Sequence, residues 1–185
     1  MQQVTVHKAD GRYCGWPANN GLWSWGGESV SDSFEIVVGF SYGYMNLDVG
    51  DSLHPIDKSR PGKYQQARSA DGGETWALDD SVLPTGPATE HTGGIDFTAP
   101  GFALKCSGES YYLSDDRART WNGPYRLLSP GDRKILARTD YQVYGPSDCL
   151  VFLTANKPNE REGRVYCMRT TDGGVSWRFV SWIGP

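Results

Sequence analysis

Thr170-Thr171-Asp172-Gly173-Gly174-Val175-Ser176-Trp177 decides the fold, because the same pattern occurs twice upstream. Ser69-Ala70-Asp71-Gly72-Gly73-Glu74-Thr75-Trp76 repeats it, and Ser114-Asp115-Asp116-Arg117-Ala118-Arg119-Thr120-Trp121 keeps everything but the glycines. Each residue type suits a tight turn between antiparallel strands. The carboxylates of Asp71, Asp116 and Asp172 can accept bonds from backbone N–H groups that the turn leaves unpaired, and glycine in the fourth or fifth place permits positive φ. Trp76, Trp121 and Trp177 close the turns by packing over neighbouring apolar side chains. All six residues are expected to be structural, and Ala118 in a glycine position predicts a strained or differently shaped second turn.

The aspartates recur at intervals of about 50 residues, the size of one four-stranded propeller blade. Strands fall into place around them. The first unit has Gly21 to Trp25, Phe34 to Tyr42, Lys63 to Ser69 and Trp76 to Leu83. The second has Phe97 to Cys106, Ser110 to Ser114 and Pro124 to Leu128. The third has Ile135 to Tyr144, Cys149 to Thr154, Arg164 to Thr170 and Trp177 to Ile183. No longer window shows a helical period, so the chain reads as all-β.

Composition agrees with strands and turns: 23 Gly and 11 Pro in 185 residues would break long helices, and 7 Trp with 10 Tyr suit half-buried pleated surfaces. A net charge of −4 provides no general basic footprint for DNA or RNA. No apolar run is long enough to span a bilayer, and no signal peptide is visible, so a cytoplasmic location is the default expectation. Cys14, Cys106, Cys149 and Cys167 lie far apart and read as free thiols, three of them in apolar runs. No phosphate-loop, zinc-protease or nucleophile-elbow motif occurs, no cofactor is implied, and Asp48, Asp51 and Asp57 lack the spacing of a calcium loop.

The S/T-x-D-x-G-x-S/T-W pattern is the Asp-box, and through its two full copies and one degraded copy the chain resembles the sialidase-like (BNR-repeat) β-propeller superfamily. The resemblance implies about three four-stranded antiparallel blades, over residues 18–83, 94–128 and 135–183, forming one propeller segment over residues 1–185. It also implies an exo-acting glycoside hydrolase, or a non-catalytic propeller that binds a glycan or a protein. Three blades are half of a six-bladed ring, so a homodimer completing the ring, or a longer chain, is expected. In this family the box turns lie away from the substrate pocket, which assigns Gly43 to Gly62, Pro84 to Asp96, Ser129 to Asp140 and Ala155 to Arg164 to the pocket face.

Candidate chemistry concentrates in those segments. Asp96, after Gly93-Gly94, is a candidate general acid if burial or a second carboxylate raises its pKa. Asp140 is the second candidate carboxylate. Strand alternation puts Arg138 on its face, where a guanidinium held by Asp140 could take a substrate carboxylate, while Tyr141 faces the other way and reads first as packing. Arg161 and Arg164 can reach an anionic ligand from the third long connection, and His54 and Arg60 from the first. Trp16 suits stacking on a sugar face. The family's Arg-Ile-Pro motif is replaced by Gly15-Trp16-Pro17, leaving Arg12 three residues from the absent arginine, and the family's tyrosine nucleophile has no assignable counterpart.

Overall fold

The structure, a computed structural model, describes residues 3–26, 34–46, 55–131, 133–159 and 163–184. It is all-β, with antiparallel pairing between the strands of every sheet and, among the described residues, one four-residue helix. The chain divides into two compact units, Met1–Val82 and Leu83–Pro185.

Unit 1 contains β1 (Arg12–Gly15), α1 (Pro17–Asn20), β2 (Leu22–Trp25), β3 (Glu35–Tyr44), β4 (Lys63–Ser69) and β5 (Ala77–Asp79). Both β1 and β2 pair with β3, opposite its residues 41–44 and 35–38, and β4 then β5 complete a five-stranded sheet. The helix sits between these two pairings. Gly39 is required there, because a Cβ would lie 2.6 Å from the Asn20 carbonyl oxygen. Alternation along β3 sends Val38 and Phe40 to a core shared with Ala67, against which Val6, Cys14, Tyr42 and Trp76 pack. On the opposite face Arg68 donates to Asp79 and to Glu35, each at 2.6 Å, and Gln66 donates to Asp79 at 3.0 Å.

Unit 2 holds two sheets. One is three-stranded, β6 (Ala103–Ser107), β7 (Ser110–Ser114) and β8 (Asn122–Arg126); the other runs β9 (Tyr141–Gly145), β10 (Asp148–Asn156), β11 (Gly163–Thr170), β12 (Arg178–Ile183). Residues 135–139 tie them together: Ala137 bridges Gly108, Ile135 bridges Ala155, and the Thr139 hydroxyl contacts the backbone of Cys106. Leu104, Leu113, Ile135, Val151, Leu153 and Tyr166 form the common core. Each of the aliphatic side chains contributes about 1.5–3 kcal/mol by leaving water.

Among the described residues the sheets have five, three and four strands rather than four each. Strand β6 starts at Ala103 because residues 96–102 form successive turns, with Ala99 N–H donating to Asp96 and Phe102 N–H to Ala99. Strand β9 starts at Tyr141 because residues 135–139 are taken up by the two bridges. Strand β1 and the helix were not expected. All four cysteines are free; three are buried and Cys14 is half-buried.

Candidate binding site opposite the Asp-box turns

The three boxes occupy the turns β4–β5, β7–β8 and β11–β12, and they share one hydrogen-bond pattern. The hydroxyl of Ser69, Ser114 or Thr170 donates to its aspartate two residues on at 2.7–2.8 Å and accepts the N–H of Gly73, Ala118 or Gly174 at 2.8–2.9 Å. The same aspartate accepts the N–H of Thr75, Thr120 or Ser176 at 2.9 Å and that residue's hydroxyl at 2.5–2.6 Å. These bonds, chiefly the hydroxyls of Thr75 and Ser176, hold Asp71 and Asp172 down at about 2. At Asp116 partial burial pushes the carboxyl up, but the bonds from Thr120, Ser114 and Arg119 outweigh it and leave it below the ordinary range. Arg117 and Ala118 adopt φ of 62° and 59° where the other boxes have glycine.

At the other end of the unit 1 sheet the chemistry is cationic. Pairing of β1 with β3 sets Arg12 opposite Tyr44, and the Arg12 guanidinium lies 3.8 Å from the Tyr44 ring centre. Arg60, arriving from the β3–β4 connection, lies 3.2 Å from the same ring. Lys63, the first residue of β4, is 5.7 Å from the Tyr42 ring. None of the three cations has an ion pair among the described residues. The hydrogen bond and charge of Arg12, with a smaller effect of Arg60, hold the Tyr44 phenol below its ordinary value. Cation–aromatic contacts of this exposed kind stabilise by about 0.5–1 kcal/mol each, while the like charges repel. An incoming carboxylate or sulfate relieves that repulsion and can be gripped by two parallel guanidinium bonds.

At the matching end of the four-stranded sheet in unit 2, Arg164, the second residue of β11, lies 4.9 Å from the Trp182 ring, with Arg133 at 5.3 Å from it. Arg60 and Arg164 therefore each lie at the end of a sheet opposite its box turn.

Asp96 does not. Ile95 N–H donates to Gly173 at 2.7 Å and Phe97 N–H to Pro146 at 2.8 Å, so Asp96 lies beside the third box turn, at the end away from the expected pocket. The approach depends on Gly173, whose φ is +70° and whose Cβ would be 2.8 Å from Ile95 N. Asp96 is exposed and caps its own loop, accepting the Thr98 N–H at 2.9 Å and hydroxyl at 2.7 Å. Those bonds lower its pKa, the opposite of what a general acid at neutral pH requires.

Arg138 and Asp140 are both exposed and flank Thr139, which turns toward β6, so the expected alternation holds. They lie at mid-height beside β10, where Asp140 accepts the Phe152 N–H, rather than at its end. Tyr141 packs against Phe102 at 5.9 Å and the unit 2 core. Trp16 is half-buried with φ 56°, its ring 5.1 Å from that of Tyr13. His54 and Arg161 lie outside the described residues, as do Asp48 and Asp51. Asp57 caps Ser59 through its N–H and hydroxyl.

Sequence reading missed Lys63, Tyr42 and Tyr44, and gave Arg12 only a remote substitute's part. It also missed Lys105, 1% exposed on β6, whose ammonium burial lowers to about 8. Among the described residues no group of three or more His, Cys, Asp or Glu side chains could hold a metal ion. No protein family, curated protein or solved structure matches the chain.

Proposed function

We propose that this chain is a sialidase-like propeller segment that binds an acidic glycan through Arg12, Arg60 and Lys63 at the end of its first sheet opposite the Asp-box. The carrying observation is the pair of guanidinium groups, one from β1 and one from the β3–β4 connection, on one Tyr44 ring, with no carboxylate partner among the described residues. The shared hydrogen-bond pattern of the three boxes supports the family resemblance. Binding is favoured over hydrolysis because Asp96, the candidate acid, lies at the box end and is held ionised.

Isothermal titration of the full chain with a sulfated uronate tetrasaccharide, against a neutral tetrasaccharide, tests this reading. The acidic sugar is expected to bind and to weaken as salt rises, because paired charges are screened and counterions compete. The Arg12→Ala/Arg60→Ala variant is expected to lose at least about tenfold in affinity at this site, a typical consequence of removing charge-assisted bonds. Equal binding of the neutral sugar, or no binding of the acidic one, would contradict it.

A further inference from the structure

Unit 2 repeats the arrangement with different residues. Arg12 begins β1, the edge strand beside β3, and Arg133 precedes the bridge of Ile135 to β10, while Lys63 and Arg164 lie at the start of the strands that lead to a box. Asn156 N–H donates to the Lys134 carbonyl at 2.9 Å, which puts the neighbouring Arg133 at the last residue of β10, the end away from the Thr170–Trp177 turn. Trp182 is fixed as a platform, held edge-on by Tyr166 at 5.5 Å and Phe179 at 5.6 Å. Arg164 is oriented by its bond to the Gly184 carbonyl at 3.2 Å. Arg133 and Arg164 have no ion pair among the described residues.

We infer that Arg133, Arg164 and Trp182 form a second site for the same acidic groups in unit 2, so that one chain takes two short acidic oligosaccharides. This rests on the glycan-binding reading of the first site. Its consequence is a ligand class: a polysaccharide with an acidic group in every repeat, which presents the same chemistry to both sites. The chain's net charge of −4 provides no overall attraction for a polyanion, so binding must come from these two local clusters.

Titration of the full chain with the sulfated uronate tetrasaccharide should give two sugars per chain. Arg133→Ala/Arg164→Ala and Arg12→Ala/Arg60→Ala should each leave one. The Trp182 indole N–H resonance should shift on titration, and still shift in the Arg12→Ala/Arg60→Ala variant. One sugar per chain, lost only in the unit 1 variant, with Trp182 unmoved, would overturn the second site and leave the first standing. Absence of binding to either would overturn both. Equal binding of a single-stranded oligonucleotide, with the same two-site stoichiometry, would overturn the sugar as the ligand class.

Discussion

The two ends of the sheets are built on opposite plans. At the box end, hydroxyl, carboxylate and backbone N–H satisfy one another within eight residues, and the pattern is the same to about 0.1 Å in all three copies. At the far end, cations gather on aromatic rings with no matching carboxylate among the described residues. A group whose bonds are already complete has little left to offer a ligand, whereas clustered like charges are stabilised by an added anion. On the proposed reading, the difference separates a structural end from a binding end.

The comparison breaks most sharply at Gly173. Gly173→Ala forces a Cβ to within 2.8 Å of the Ile95 nitrogen and 2.9 Å of its oxygen, at a φ that an L-residue disfavours. It should destabilise the chain by about 2–4 kcal/mol, read by denaturant unfolding, and free the segment carrying Asp96. Unchanged stability would show that the docking of Ile95 on this turn is not needed.

Acid should act on the box end next. The Asp71 and Asp172 carboxyls lie at about 2 in the folded chain, against 3.8 ordinarily. Because the folded values are depressed, the stability they contribute is present above about pH 4 and lost as pH falls toward 2. Melting temperature should therefore fall through that window, and less steeply in an Asp172→Asn variant. The smallest effect has the other sign: Arg117→Gly removes a left-handed non-glycine residue and should stabilise by less than about 1 kcal/mol, measured by the same unfolding curve.

What the sequence made legible follows from distance along the chain. Each box closes its bonds within eight residues, so the turns and their flanking strands could be read directly, and even Ala118 kept the pattern through a positive φ. Asp96 was assigned to the wrong end because its position is set by Gly173, far along the chain, and no local signal carries that contact. Tyr44 meets Arg12 through the β1–β3 pairing and Arg60 through a loop, so three separate segments had to be combined. Lys105 sits in an Ala-Leu-Lys-Cys strand that reads as alternating in and out, yet both faces of β6 are buried.

The central claim is a division of labour, and it is tested by measuring melting temperature and tetrasaccharide affinity together on two variants. Thr170→Val removes the hydroxyl that accepts the Gly174 N–H; at 1% exposure the orphaned bonds should cost about 1–3 kcal/mol. It should melt earlier and, while folded, bind the acidic tetrasaccharide as the unmodified chain does. Arg12→Ala/Arg60→Ala should melt within a few degrees of the unmodified chain, since exposed cation–aromatic contacts are worth about 0.5–1 kcal/mol each and their loss also removes repulsion. Its unit 1 site should be lost. The account would be contradicted if the arginine variant kept its unit 1 site, or if both variants lost affinity only in proportion to stability.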